Sequence, residues 1–249
     1  MKKVYFTFIG LIGTLTFFAF AMSFPKESVM NFNPAYMVLN QKWSVSYETY
    51  FNNNKGMDFA VFQPFQDGFA GEIGLYSDEK TSGLIYSVAS ILGKTSVGAK
   101  FDLSSAGTSL KLNAGFGAIQ RVWENLNLEF RAPNVITYVY GNGFKVKPNF
   151  ELALSLPFKN WNASAFAGVE YPWVKSGLWG GISFFGAQIF GQYTYVYNSE
   201  LPPDINGQII DLTAQYSVGA MKFAYIYENE KYSYAYSNTE NGLRFTVEW

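Results

Sequence analysis

From residue 41 to the C-terminus, apolar and polar residues alternate with a period of two, and no segment of this region has a convincing helical periodicity. Val97 and Ala99, for example, alternate with Gly98 and Lys100. Successive side chains of a β-strand point to opposite faces, so each alternating segment would present one apolar and one polar face. The pattern therefore predicts an all-β chain.

Clusters of Gly, Asn, Asp and Pro divide this region into fourteen predicted strands, and an even number returns the chain to its starting side. If one weak pair merged, twelve strands would remain. The predicted strands are 41–51, 57–65, 68–77, 83–91, 94–103, 109–122, 125–140, 149–157, 161–170, 177–185, 187–198, 206–217, 219–229 and 240–249. Tight connections alternate with mostly longer ones, which is typical of transmembrane β-barrels. We therefore expect residues 41–249 to form one antiparallel up-and-down β-barrel.

The first 21 residues are predicted to be a signal peptide rather than part of the fold. Lys2 and Lys3 precede an apolar run, and Ala19-Phe20-Ala21 fits the small-x-small pattern of a cleavage site. An uncleaved anchor helix is the alternative, and the cleavage site and the short apolar run argue against it. We therefore expect the chain to be exported and its signal peptide (1–21) to be removed.

Residues 22–40 form a predicted periplasmic segment ahead of the first strand. Their strand pattern is weak, and they include the apolar residues Val29, Phe32, Tyr36 and Met37. A segment of this length spans up to about 60 Å when extended, which is enough to reach the interior of a barrel. The segment is therefore a candidate lumen plug that partly occludes a pore.

Aromatic residues make up 19% of the chain, whereas charged residues make up only 15%, well below the roughly 25% of an ordinary soluble domain. Many aromatics fall near predicted strand ends, where transmembrane barrels carry girdles at the two water–lipid boundaries. Trp173 and Trp179 also fall at the long-loop end, so Trp and Tyr residues are not cleanly divided between the two ends. The predicted membrane-interface aromatics are Trp43, Trp123, Trp161 and Trp249 at or beside the short-turn end, and Tyr76, Tyr140 and Tyr197 near the long-loop end.

The size of the barrel decides which face of each strand meets the lumen. The interior of a barrel of about eight strands can be filled with side chains, whereas a barrel of fourteen strands would have a lumen too wide for small residues such as Ala99 to fill. We therefore expect apolar faces towards lipid, with a soluble two-sheet sandwich as the alternative. The predicted lumen-lining residues are Lys100, Asp102, Lys111, Glu129, Arg131, Glu151, Glu170 and Arg244. These charges could offset one another as a wall network or select a permeant, and both interpretations stay open.

The chain has no His and no Cys. Nucleophilic pairs built on His, imidazole metal sites, thiolate ligands and disulfides are therefore excluded, although Ser-Lys or carboxylate chemistry stays formally possible. A net charge of −1 offers no basic surplus for binding nucleic acid. We expect no enzyme activity, no catalytic, cofactor-binding or metal-binding residues, and no cofactor.

The export signal, the repeated alternating segments and the last strand together resemble a bacterial outer-membrane β-barrel. That strand reads Asn-Gly-Leu-Arg-Phe-Thr-Val-Glu-Trp over residues 241–249. Its alternating apolar residues and terminal aromatic look like the C-terminal signal that the barrel assembly machinery recognises. The resemblance implies an outer-membrane location and the assembly machinery as a partner.

Asn33-Pro34-Ala35 is similar to the Asn-Pro-Ala stretch of the long-chain fatty-acid transporter family. Members of that family are fourteen-stranded barrels whose N-terminal segment plugs the lumen, and they pass hydrophobic molecules. This chain lacks the Gly-rich lead-in and the long insertions that would build a ligand pocket, so no ligand-binding residue is transferred. A chance tripeptide that turns the chain into its first strand is the other interpretation.

Taken together, these features predict a passive outer-membrane channel or transporter. Solute would diffuse through a polar, charged lumen, and both hydrophilic and hydrophobic solutes stay open. The expected partners are the lipid bilayer, the barrel assembly machinery and a small-molecule solute. A structural or assembly barrel without transport activity is the alternative function.

Overall fold

The computed structural model of the chain describes residues 33–39, 42–51, 56–65, 68–146, 149–158, 160–200, 206–233 and 237–249. The predicted signal peptide lies outside the described residues, as do residues 22–32 and residue 40 of the predicted periplasmic segment. Within the described part of the chain, no helix is both long enough and apolar enough to cross a membrane.

A short 3-10 helix, Pro34–Leu39, precedes fifteen β-strands. The strands are β1 (Ser44–Tyr50), β2 (Met57–Pro64), β3 (Phe69–Ser77), β4 (Ser82–Leu92), β5 (Thr95–Ala106), β6 (Ser109–Trp123), β7 (Leu126–Val139), β8 (Gly143–Val146), β9 (Asn149–Pro157), β10 (Trp161–Glu170), β11 (Trp173–Phe184), β12 (Ala187–Asn198), β13 (Asn206–Val218), β14 (Met221–Tyr232) and β15 (Ser237–Glu248).

Fourteen of these strands close into one antiparallel ring. The ring runs from β1 to β7, continues from β9 to β15, and closes where β15 pairs with β1. The short β8 only extends the C-terminal half of β7 as a hairpin. A closed ring leaves no unpaired strand edge, which is the condition for a sheet to span a membrane. The predicted fourteen-stranded barrel is confirmed, and the two-sheet sandwich is not formed.

Several of the tight connections lie at one end of the barrel. Gly93 joins β4 to β5 and Gly219 joins β13 to β14, with φ angles of 66° and 60° that glycine adopts without strain. The first strand begins at this short-turn end and the last strand finishes there. Backbone hydrogen bonds from Trp43 N to Trp249 O (3.1 Å) and from Trp249 N to Trp43 O (3.0 Å) continue the pairing of β1 with β15.

Strand β11 begins four residues earlier than the predicted strand 177–185. Trp173 pairs with Glu170 of β10 and with Asn198 of β12, so the residues expected in a loop belong to the wall. Trp179 consequently lies in the middle of β11, opposite Gln192, rather than at the long-loop end. The prediction of its position was wrong because the connection before β11 is a tight turn.

Strand β7 contains an irregularity that alternation did not predict. Its pairing with β6 jumps by four residues, from Ala132 to Ile136, while β6 advances by only two. Pro133 lies inside the jump and has no N–H to donate to a ladder. A Cβ placed on Gly115 of β6 would lie 2.7 Å from the Ala132 carbonyl oxygen and overlap that of Pro133. The bulge therefore folds over the inner face of β6.

The 3-10 helix lies inside the ring, where it packs against β3, β4, β5 and β6. Hydrogen bonds of Asn33 and the fixed backbone angle of Pro34 explain why the helix begins here. Asn33 Oδ1 accepts a hydrogen bond from the Ala35 N–H (3.1 Å), and the Asn33 carbonyl accepts one from the Tyr36 N–H (3.0 Å). Pro34 suits the first helical position because its φ is already fixed near the helical value.

Candidate functional site in the barrel lumen

The polarity of the barrel is the reverse of that of a soluble protein. On the outer face, large apolar side chains are exposed, such as Leu152 at 50% and Leu178 at 63%. On the inner face, charged side chains are buried, such as Glu48 at 2% and Asp211 at 0%. An apolar exterior suits hydrocarbon and a polar interior suits water, as in transmembrane β-barrels. The lumen is therefore the candidate functional site.

All the predicted lumen-lining residues take inward-facing positions of their strands. Lys100, Glu129, Glu151 and Arg244 are buried, and the remaining members of the set are half-buried or lie exposed at strand ends. Their positions are Lys100 and Asp102 on β5, Lys111 on β6, Glu129 and Arg131 on β7, Glu151 on β9, Glu170 on β10 and Arg244 on β15.

One charge network joins β7, β9, β10 and β11. Arg131 and Lys175 both form salt bridges with the Glu151 carboxylate, and Lys175 Nζ also lies 3.5 Å from Glu170 Oε2. Glu151 therefore has a cation on each side. Lys175 was absent from the predicted set because its segment was expected to be a loop.

A second network lies where β15 closes the ring. Arg244 forms a buried salt bridge with Glu48 of β1, and the Tyr50 hydroxyl donates to the same carboxylate. Two inward-facing positions further along β15, Glu248 binds Lys222 of β14 and lies 3.3 Å from Lys42 Nζ. These pairs offset the charge of the wall, which favours the wall-network interpretation for this part of the lumen.

A third network is neutral apart from one carboxylate. The Tyr76 hydroxyl donates to Asp102 Oδ1 (2.9 Å), and the Asn113 amide donates to Asp102 Oδ2 (3.2 Å). The Thr137 hydroxyl then donates to Asn113 Oδ1 (2.9 Å). Tyr76 therefore lies on the inner face, not at the lipid boundary where it was expected. It shares its face with Glu72, and this parity was already visible in the sequence.

The other predicted interface aromatics point outward near the strand ends or lie in the turns beside them. Trp123 and Trp161 are exposed at the ends of β6 and β10, beside short turns. Tyr140 follows β7 and is 73% exposed, and Tyr197 lies on the outer face near the end of β12.

The helix is held to the wall by one hydrogen-bonded group. The Tyr36 hydroxyl and the Ser155 hydroxyl both donate to Glu129 Oε1, and Ser155 lies 3.2 Å from the Ser164 hydroxyl. Burial, followed by the negative charge of Glu129, raises the pKa of the Tyr36 hydroxyl well above its ordinary value. Tyr36 therefore remains a hydrogen-bond donor at neutral pH.

Two apolar clusters surround the helix inside the barrel. Their members come from both the helix and opposite parts of the wall. The first cluster is Ala35, Tyr36, Ile119, Phe166 and Trp179, and the second is Met37, Val38, Phe62, Ala70 and Ala89. Phe166 and Trp179 were not predicted in the lumen, although Phe166 has the same parity as the polar Ser164.

Two facing glycines give the start of the helix its space. Gly98 of β5 and Gly117 of β6 are partners in the ladder. A Cβ on Gly98 would lie 2.5 Å from the Pro34 carbonyl carbon, and one on Gly117 would overlap Asn33 Oδ1. Contacts this short do not occur for real side chains, so the bare backbone admits the Asn33–Pro34 dipeptide.

No family model and no curated protein sequence matches the chain. Among solved structures, the CymD monoaromatic hydrocarbon channel superimposes with a TM-score of 0.65, at 11% identity over 91% of this chain and 94% of that chain. The outer membrane protein Omp33 of Acinetobacter baumannii has a TM-score of 0.53, at 9% identity over 84% of this chain and 98% of that chain. Identities this low show a shared fold, and the resemblance to fatty-acid transporters stays a prediction. The chain has the fold of a bacterial outer-membrane β-barrel.

Proposed function

We propose that the chain is a passive channel of the outer membrane. The observation that carries this proposal is the closed ring with an apolar outer face and a charged inner face. A structural barrel would need only the apolar outer face for insertion, whereas a polar, charged inner face is typical of barrels that enclose a water-filled channel.

The inner-face salt bridges keep the wall in one shape. Arg131 and Arg244 each neutralise a carboxylate on a neighbouring strand, and Lys175 of β11 reaches Glu151 on β9, two strands away. Paired charges contribute little net field to the lumen, so the width of the lumen and its remaining charges would select the solute. No catalytic step is part of the proposed function, because diffusion through a lumen needs none.

The N-terminal segment would restrict the lumen. Residues 33–38 are all buried, and the helix contacts side chains from both the β3–β6 wall and the β10–β11 wall. A segment held between two sides of the ring narrows the route past it. We therefore include residues 33–39, and the predicted periplasmic segment 22–40 to which they belong, as a partial plug.

The last strand would carry the assembly signal. Residues 241–249 belong to the strand that closes the ring on β1, and Phe245 and Trp249 face outward at its end. An assembly machinery that acts on this edge would meet these residues before closure. Replacing Trp249 by Ser should reduce the fraction of chain inserted into the outer membrane, and unchanged insertion would contradict this partner.

The decisive experiment is ion conductance in a planar lipid bilayer, with a heat-dependent gel shift as the check that the barrel is folded. A conducting, heat-modifiable protein supports the channel. The same measurement on a variant lacking residues 24–37 tests the plug, and its single-channel conductance should be higher. A folded barrel that conducts in neither form would contradict the channel and favour the structural alternative.

A further inference from the structure

A cavity of about 200 Å³ lies on the inner face at the short-turn end of the barrel. Lys94 of the β4–β5 turn and Arg121 of β6 contribute two cations to its lining. Ser96 of β5 and Asn127 of β7 contribute a hydroxyl and an amide, and both residues are buried. Four hydrogen-bonding side chains from three strands and one turn therefore converge on a single space.

None of these four side chains has a hydrogen-bond or salt-bridge partner among the residues that the structure describes. Lys94 and Arg121 contact each other only through backbone, from Arg121 N to Lys94 O (3.0 Å). The Arg121 carbonyl also accepts a hydrogen bond from the Gln120 amide (3.1 Å). Within the described part of the chain, the guanidinium and ammonium groups are thus available to bind a ligand.

Four other inner-face cations give a contrast. Arg131, Lys175, Lys222 and Arg244 all form salt bridges with carboxylates of the wall. Glu129 is the acidic residue on the same face of β7 as Asn127, and it is already engaged by Tyr36 and Ser155. The cavity therefore carries a local positive charge that the wall does not neutralise.

The chemistry of the lining defines the class of ligand. A guanidinium presents paired N–H groups that match the two oxygens of a carboxylate or phosphate, and an ammonium adds a further charged donor. Ile91 and Ile119 form apolar walls beside these donors. A water molecule occupies about 30 Å³ of liquid, so a cavity of about 200 Å³ admits a small oxyanion with some of its water.

We propose that this cavity is a binding site for a small oxyanion, a carboxylate or a phosphate, that enters or leaves the lumen at the short-turn mouth. This inference rests on the proposed channel function and deepens it by naming the solute class. Ile119 also packs in the cluster that contains Ala35 and Tyr36, so the site lies directly beside the partial plug. An anion that passes the helix would meet these cations at the same end of the lumen.

The test compares the wild type with the double variant Lys94→Gln, Arg121→Gln in a planar bilayer. Inorganic phosphate or acetate, added to both chambers, should reduce the wild-type chloride current. The double variant should need about tenfold more of the same anion, because charge-assisted hydrogen bonds are lost. Its reversal potential in a salt gradient should also shift towards cations. The matched control is Lys80→Gln, Lys145→Gln, which removes two exposed cations near the opposite mouth and should leave the block unchanged.

Block by either anion that depends on Lys94 and Arg121 supports the site, and the comparison of phosphate with acetate identifies the anion. The site is wrong if the channel conducts but neither anion blocks it, or if the double variant is blocked equally well. Calorimetry with phosphate and acetate on the detergent-extracted protein separates this failure from failure of the channel. Anion binding that needs Lys94 and Arg121 in a non-conducting barrel would retain the site and reject the channel.

Discussion

Gly98 of β5 lies directly opposite Gly117 of β6 on the inner wall, and Asn33 and Pro34 fill the space that two side chains would take. The pair explains how a helix can lie flat against a strand without displacing it. A glycine on the inner face of a strand can leave space for another group or allow the strand to curve. At this pair it admits the chain's own N-terminal segment.

Replacing either glycine by valine should expel the start of the helix and raise single-channel conductance. The new Cβ of Gly98→Val would lie 2.5 Å from the Pro34 carbonyl carbon, and overpacking of this kind costs about 1–3 kcal/mol. Gly117→Val should act in the same way because it overlaps Asn33. The matched control is Ala99→Val, whose side chain points to the outer face beside Gly98. Equal conductance in all three variants and the wild type would show that the helix does not restrict the lumen.

Tyr36→Phe should loosen the helix without adding bulk. The substitution removes one hydrogen bond to the buried Glu129 carboxylate and leaves Ser155 as its donor, at a cost of about 1–3 kcal/mol. Openings of the channel should become more frequent in single-channel recordings, and amide exchange in residues 33–39 should become faster. Gating and exchange that match the wild type would contradict a role for this contact.

The same residue makes a prediction about pH. Burial raises the pKa of Tyr36 above its ordinary value of 10.0, so its contribution to docking is complete below pH 10 and is lost as the pH rises further. The wild type should therefore gain conductance only in strongly alkaline solution. Tyr36→Phe has no proton to lose and should lack that step. Identical alkaline titrations of the two proteins would disprove the assignment.

Alternation predicted most of the wall, because a period of two follows directly from strand geometry. It placed Lys100 and Asp102 on the inner face and Leu152 on the outer face, as the structure has them. It also brought Arg131 and Glu151 to neighbouring strands, where they form a salt bridge. Local pattern was sufficient here because each residue's face depends only on its own strand.

Contacts across the lumen could not be predicted in this way. The positions of Phe166 and Trp179 in their strands direct both side chains inward, but their packing against the helix depends on a partner that is remote in sequence. Lys175 and Trp179 were misplaced for a different reason, since a tight turn before β11 was interpreted as a longer loop. Tyr76 was predicted at the lipid interface because of its residue type. Its position in the alternation of β3 indicated the inner face, where the structure places it. The oxyanion cavity had no sequence signal, because Lys94, Ser96, Arg121 and Asn127 meet only after the strands pair.

The buried pair of Arg244 and Glu48 should be more costly to break than to remove. Arg244→Leu leaves the Glu48 carboxylate without its cation in a buried position, which typically costs about 3–5 kcal/mol. The double variant Glu48→Leu, Arg244→Leu removes both charges and should recover most of that loss. Urea unfolding of the barrel in lipid vesicles measures both values. A double variant that is less stable than Arg244→Leu would show that the pair contributes more than mutual neutralisation.

Leu152→Lys tests which face of the barrel meets lipid. Leu152 lies mid-strand in β9 and is half exposed on the outer face, so a lysine there would enter hydrocarbon. The expected cost is about 2–4 kcal/mol if the residue lies near the bilayer midplane. Lys111→Leu, at an inward-facing and exposed position of β6, should change stability much less. Urea unfolding in vesicles compares the two, with the heat-dependent gel shift as a check of folding. If the two variants lost the same stability, the outer face would not meet lipid. A hydrocarbon environment would destabilise Leu152→Lys more than Lys111→Leu, because only the first variant places a charge in it.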